Sequence, residues 1–218
     1  MQSCIGSLKL SPSRDMKIVF IRHGESTGNA GIPSHDLSQI ELTDKGHLQA
    51  AMLASAWVDI PSLIATSPYL RTQLTAQPTI TRFPMLPVEV LPIEEFTYLE
   101  PSRWNGTSRA KRLPHIDAFW DQADPTYQDG PGAESFDTLL ARVQMTFDRI
   151  NRLEPGSLVY AFSHGQFMQA LRLRLMFPEW SSKQLMQRFW SFDKEHPILN
   201  AALVIAHRQE STWALVDE

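Results

Sequence analysis

The 218-residue chain has a single cysteine, Cys4, which excludes an internal disulfide framework and any cysteine-built zinc site. No apolar run reaches the roughly 18 residues that a membrane-spanning helix needs. Residues 1–15 hold no apolar stretch long enough for a secretory signal. Excess positive charge is lacking too. The 20 Lys+Arg against 24 Asp+Glu leave a net charge of −4, which disfavours a nucleic-acid phosphate backbone as partner. There is no internal repeat, no GxxxxGK[ST] phosphate loop, no HExxH pair and no Asp-rich metal cluster. The expectation is a cytoplasmic protein with no membrane partner, no cofactor and no resident metal.

What is present suits a packed core: 43% hydrophobic, 10% aromatic and 20% charged residues. Residues 1–15 are polar and Ser-rich and read as a loose leader. Residues 16–218 read as one domain. Short apolar runs at 17–21, 63–66, 88–91 and 158–162 read as buried strands, and 202–206 and 213–216 as a closing pair, an edge hairpin being one arrangement. Thr43 caps an expected helix carrying Leu48, Ala51, Met52 and Ser55 on one face. Ser67 and Pro68 signal the start of another, as N-cap and first helical residue, with Arg71 in its first turn. A long helix is expected over about 133–153 and a further one over 166–177. Between them, about 94–131 is irregular, aromatic and broken by Pro101, Pro114, Pro125 and Pro131. It reads as an inserted lid with one or two short helices.

Strands alternating with helices imply an α/β fold, a three-layer α/β/α sandwich on a mostly parallel sheet. Ligands of such sheets bind outside the carboxyl ends of the strands. The polar residues there are Arg22 and His23, then Ser67 and Arg71, then Glu94 and Glu95, then His164. Two guanidinium groups converging on one point form a seat for an oxyanion, and a helix N-terminus adds to it. Phosphoryl transfer needs mainly such positioning and charge neutralisation. A neutral histidine can be the nucleophile, and a glutamic acid with a raised pKa can protonate the departing oxygen and then deprotonate water.

Several ordered blocks also resemble a known family. They are Arg22-His23-Gly24-Glu25-Ser26 with Asn29, residues 42–50 (LTDKGHLQA), residues 67–76 (SPYLRTQLTA), residues 132–136 (GAESF) and Ser163-His164-Gly165. Together they identify the chain as resembling the histidine phosphatase superfamily, or phosphoglycerate mutase-like family, across most of 17–206. The resemblance implies that His23 is the phosphorylated nucleophile. It implies that Arg22, Arg71 and His164 bind the phosphoryl oxygens, assisted by Asn29, and that a glutamate after the third strand is the proton donor. Glu95 is the first choice, then Glu94, then Glu100. The chain departs from the family here, reaching Trp104-Asn105-Gly106 about three residues later than a Trp-Glu-Gly-like turn would fall.

The leading function is metal-independent hydrolysis of a small phosphorylated molecule through phospho-His23. The alternatives are a mutase-type phosphotransferase and a non-catalytic phospho-ligand or protein-binding module of the same fold. The lid aromatics Phe96, Tyr98, Trp104 and Trp120 read mainly as lid core, though they hint at an apolar or aromatic leaving group. The oligomeric state is not legible.

Overall fold

The computed structural model describes residues 15–216, so Cys4 and all of the expected leader except Asp15 lie outside the described residues. Six strands form one sheet in the order β3-β2-β4-β1-β5-β6. They are β1 Met16–Arg22, β2 Leu63–Thr66, β3 Val88–Val90, β4 Leu158–Ser163, β5 Leu203–Gln209 and β6 Thr212–Leu215. The first four run parallel, and β5 and β6 are antiparallel at one edge, an edge hairpin.

The sheet is covered on both faces, which is why its central strands are unbroken apolar runs rather than alternating ones. Helices α1 Asp44–Ala56 and α2 Leu70–Arg82 lie on one side. There Val19 and Ile21 of β1 pack with Tyr160 and Phe162 of β4, Ile64, Trp57 and Ala76. On the other side Ile18 and Phe20 pack with Val159, Ala161 and Leu63. That layer contains α5 Phe136–Ile150, α6 Gly165–Met176 and α7 Ser182–Glu195, with α4 Arg109–Gln122 of the lid beside them; the short α3 Pro101–Trp104 precedes α4 in the lid. The three-layer sandwich expected from the strand pattern is the observed fold.

Four local expectations need correction. The face of α1 carrying Leu48, Ala51, Met52 and Ser55 points to solvent, with Leu48 66% and Met52 70% exposed. The buried face is Gly46, Ala50 and Ala54, because a close helix contact selects small residues there. A Cβ on Gly46 would overlap the Glu25 carbonyl oxygen, and one on Gly24 would meet the Gly46 carbonyl oxygen at 2.6 Å. The two glycines thus let the loop after β1 lie against the first turn of α1.

Second, α2 begins at Leu70 with Tyr69 at its N-cap and no side-chain cap. Ser67 stands two residues before that N-cap, its hydroxyl accepting from the Tyr69 N–H and meeting Thr72 and His164. Third, Pro114 does not break the lid but lies inside α4. The helix tolerates one missing backbone bond because Ile116, Phe119 and Trp120 anchor it in the core. Fourth, α7 was not foreseen, although a capping box of Ser181 and Gln184 precedes its buried Leu185, Met186, Phe189 and Phe192.

Candidate active site at the carboxyl edge of the sheet

Register brings the strand ends to one level. Arg22 at the end of β1 pairs with Ser163 at the end of β4, and Phe162 pairs with Thr66 at the end of β2. The chain after β3 is tied to the same edge: Leu91 N–H donates to the Thr66 carbonyl at 2.9 Å, and Ser163 Oγ donates to the Ile93 carbonyl at 2.6 Å. His23, Ser67 and His164 are the next residues along their strands, and Glu95 follows two residues after Ile93. They face one another because parallel strands in register stop together.

His23 is 2% exposed. Its Nδ1 lies 2.7 Å from the Gly24 carbonyl oxygen, which can only accept, so Nδ1 carries the proton. Its Nε2 accepts from Arg71 Nε at 3.1 Å and therefore holds a lone pair. Burial first, then the charges of Arg71 and Arg22, hold its pKa well below the ordinary histidine value, with the Gly24 carbonyl pulling the other way. The imidazole is neutral at pH 7 and its unprotonated nitrogen is the one turned toward Arg71.

Arg71 is held by a second bond, from Nη1 to the Leu37 carbonyl at 2.7 Å, and its guanidinium lies 4.9 Å over the Tyr69 ring. Burial pulls its pKa down to about 10 against the opposing pull of Glu95, so it stays charged at neutral pH. Arg22 donates from Nη1 to the Ile198 carbonyl, while its Nε is buried without a hydrogen-bond partner among the described residues. His164 is fully buried, its ring 5.1 Å from that of His23 at an edge-to-face angle of 62°. Its Nε2 meets Ser67 Oγ at 2.7 Å, and its Nδ1 is buried with no hydrogen-bond partner among the described residues. Burial, then Arg71 and His23, push its pKa well below the usual value.

Among the three glutamates the structure distinguishes clearly. Glu95 stands beside Arg71 and Arg22, both of which act on its ionisation, and Oε1 accepts from Gln166 N–H at 2.9 Å and Phe96 N–H at 3.2 Å. Burial raises its pKa above the carboxylate value, against the opposing charges of Arg71 and Arg22. Glu94 turns toward Arg142, its carboxylate 3.8 Å from Nη1. Glu100 belongs to the lid, where Ser102 and Arg103 donate to its carboxylate. Asn29 sits on the exposed rim, its Oδ1 accepting from Ser26 N–H, Ser26 Oγ and Asn200 Nδ2 at 3.2, 3.0 and 3.0 Å.

Two participants escape local sequence reading. Asn200 Nδ2 donates to the His23 carbonyl at 3.0 Å as well as to Asn29, joining the rim to the strand end from 171 residues away. No motif marks it. Arg142 is a buried cation on α5. It donates through Nη1 to the carbonyls of Pro92 and Glu94 at 2.9 and 3.0 Å, and through Nε and Nη2 to Glu134 at 2.6 and 2.7 Å. It clamps the segment that presents Glu95. An arginine amid the apolar period of α5 was its only signal.

A cavity of about 380 Å³ opens beside Arg22 and Glu95, and Gln166, Trp190, Asp193 and Lys194 are among its other lining residues. Of the lid aromatics, Phe96, Trp104 and Trp120 are buried in the core, whereas Tyr98 also lines this cavity. Among the described residues no three His, Cys, Asp or Glu side chains stand close enough to hold a metal ion, and no helix is long and apolar enough to cross a membrane.

The arrangement is that of a buried neutral histidine facing arginines, a second histidine and a carboxyl, which is what handling a phosphoryl group requires. The family model of the histidine phosphatase superfamily (branch 1) matches residues 18–217, and the chain belongs to that superfamily. Phosphoserine phosphatase 1 of Hydrogenobacter thermophilus is 24% identical over 199 residues, 89% of this chain and 88% of the relative. The metal-independent phosphoserine phosphatase of Arabidopsis thaliana is 24% identical over 204 residues, covering 91% and 79%. Among solved structures, a mycobacterial glucosyl-3-phosphoglycerate phosphatase superposes with a TM-score of 0.70 at 21% identity, covering 92% and 97% of the two chains. These likenesses of fold agree with the sandwich described above.

Replacing Arg142 by Met leaves Glu134 buried without its partner and should cost about 3–5 kcal/mol in urea unfolding. Adding Glu134→Leu should return much of that stability. Activity should stay low in both variants, because the Pro92 and Glu94 carbonyls remain unclamped. Recovery of activity together with stability in the double variant would contradict the clamp.

Proposed function

We propose that the chain is a metal-independent phosphomonoesterase that works through a phosphohistidine at His23. The observation that carries this is the pair of bonds on its ring, Nδ1–H to Gly24 and Arg71 to Nε2, which leaves the lone pair on a buried neutral imidazole. Nε2 forms the bond to phosphorus as the ester P–O bond breaks. Glu95, protonated, gives its proton to the departing oxygen and then takes one from water. The water oxygen attacks phosphorus, the P–N bond breaks, and inorganic phosphate leaves. Arg22, Arg71 and His164 hold the non-bridging oxygens, with Asn29 assisting from the rim.

The cavity beside Glu95 has a mixed lining, apolar through Tyr98, Ile116 and Trp190 and charged through Asp193 and Lys194. Its walls combine the Asp193 carboxylate with the Lys194 ammonium, a pairing that fits the amine and carboxylate of a phosphorylated amino acid. Two relatives are named phosphoserine phosphatases, which makes phosphoserine the first substrate to try.

Turnover of an aryl phosphate in EDTA should persist in the native protein and fall about a thousandfold or more in His23→Ala. Strict dependence on added metal would contradict the reading, and transfer of the phosphoryl group to a second sugar acid in place of water would favour a mutase. The pH profile has a definite sign. Glu95 must be protonated, so kcat/KM falls as pH rises through its raised pKa. His23 must be neutral, so the acid limb lies below the ordinary histidine value. Glu95→Gln should lower the rate and remove the alkaline limb of kcat at saturating substrate, and an unchanged limb there would exclude Glu95 as the acid. Asp193→Asn should lower kcat/KM for phosphoserine roughly tenfold or more relative to 3-phosphooxypropionate, the same molecule without the amine. Equal effects on the two would place the amine elsewhere.

A further inference from the structure

His164 enters the proposed mechanism as a hydrogen-bond donor to the phosphoryl group, yet its proton count in the free protein does not allow it. Ser67 Oγ has three polar neighbours: Tyr69 N–H at 3.1 Å, Thr72 Oγ1 at 2.7 Å and His164 Nε2 at 2.7 Å. It owns one proton. Thr72 Oγ1 also owns one, and it lies 2.7 Å from the Tyr69 carbonyl and 3.3 Å from the Ser67 carbonyl. Neither carbonyl can donate, so the proton of Thr72 goes to a carbonyl. Its lone pair then faces Ser67, and Ser67 donates to Thr72. That leaves Ser67 Oγ as acceptor toward both Tyr69 N–H and His164, so Nε2 must carry the hydrogen. The reverse arrangement, with Ser67 donating to Nε2, sends the proton of Thr72 to Ser67. It leaves two acceptor oxygens 2.7 Å apart with nothing between them.

We propose that Ser67 and Thr72 fix His164 as the Nε2–H tautomer, bare at Nδ1, so that it takes up one proton when an oxyanion enters the site. Both are positioning residues, acting through His164. The inference rests on reading the site as a phosphoryl seat. A dianionic phosphoryl oxygen has no hydrogen, and against a bare Nδ1 two lone pairs would oppose each other. With the added proton, Nε2–H donates to Ser67 and Nδ1–H to the anion, and the orphaned Nδ1 acquires a partner.

The surroundings decide when the proton arrives. Arg71 acts on His164 from α2, His23 and Arg22 from the end of β1, and Arg142 from α5. The Tyr69 ring lies 5.3 Å away. The charged groups among these are cations, so the free protein keeps His164 neutral, and the entering anion supplies the charge that makes the imidazolium favourable. Ligand affinity is thereby linked to pH: anion binding weakens as pH rises. This differs from a protonated histidine waiting in the site, and it explains why two hydroxyl residues sit fully buried beneath a histidine.

The test uses sulfate, which has no titration of its own between pH 5 and 9, and the full-length protein labelled with 15N histidine. In the free protein, the imidazole 15N shifts of His164 should report hydrogen on Nε2 alone, and on both nitrogens once sulfate is bound. Calorimetry of sulfate binding in buffers of differing ionisation enthalpy should then show that Thr72→Val takes up about one proton fewer than the native protein. In that variant Ser67 is free to donate to Nε2, so neutral His164 already presents Nδ1–H. Thr72→Ser should restore native uptake, which a mere packing role of Thr72 would not predict. Hydrogen on Nδ1 in the free native protein, or a neutral His164 in the sulfate complex, overturns the inference. So does equal proton uptake in native and Thr72→Val proteins. Should Thr72→Val fail to fold, the two native spectra decide alone. None of these readouts involves turnover, so failure of the phosphatase reading would show separately, as sulfate binding with the expected protons but no hydrolysis.

Discussion

The hydrogen bond from Arg71 Nε to His23 Nε2 is the contact on which the rest of the site depends. A guanidinium donates to an imidazole nitrogen only if that nitrogen is unprotonated. The Gly24 carbonyl takes the other ring proton, and burial removes the water that would stabilise an imidazolium. Together these hold the nucleophile proposed at His23 in its reactive form, beside the cation that would neutralise its product. An oxyanion arriving at Arg71 would exchange places with the lone pair as acceptor and release that lone pair toward phosphorus.

The scaffold serves this contact from several directions. Parallel register stops β1, β2 and β4 at one level, and the Gly24–Gly46 approach lays the loop after His23 on α1. Thr75 of α2 accepts from Gly24 N–H at 3.0 Å, so the helix that presents Arg71 also grips the backbone beside His23. Arg142 performs the matching task for Glu95 from the opposite layer. Two arginines without a carboxylate ion pair among the described residues, Arg22 and Arg71, crowd two histidines that carry no charge, and their positive charge is what an entering dianion meets.

How much of this was legible in the sequence depended on the range of the forces involved. Strands with β-branched apolar runs and the Thr43 cap are written locally, and they stand where expected. His23, Arg22, Arg71 and His164 could be placed together because each follows a strand in a parallel sheet. The face of α1 was misread because its buried side is chosen by close approach, of the loop after β1 at Gly46 and of α2 beyond it, which favours Gly and Ala over the larger Leu48 and Met52. Ser67 looked like a helix cap because a serine before a proline usually is one, yet here the N-cap falls two residues later and a distant histidine meets the hydroxyl. Glu94 and Glu95 are adjacent, and only the position of Arg142 turns one away and leaves the other at the site. Asn200 and Arg142 act across long loops, where no local pattern records the contact.

The central claim concerns one nitrogen atom, so the most direct measurement is the chemical identity of a trapped intermediate. Rapid quenching of the protein with a labelled phosphomonoester under alkaline conditions, followed by peptide mass spectrometry and 31P NMR, locates the phosphoryl group. The account predicts a phosphoramidate on Nε2 of His23, absent in His23→Ala. Phosphate on Nδ1, on His164 or on any hydroxyl, or full turnover with no covalent intermediate at any mixing time, would contradict it.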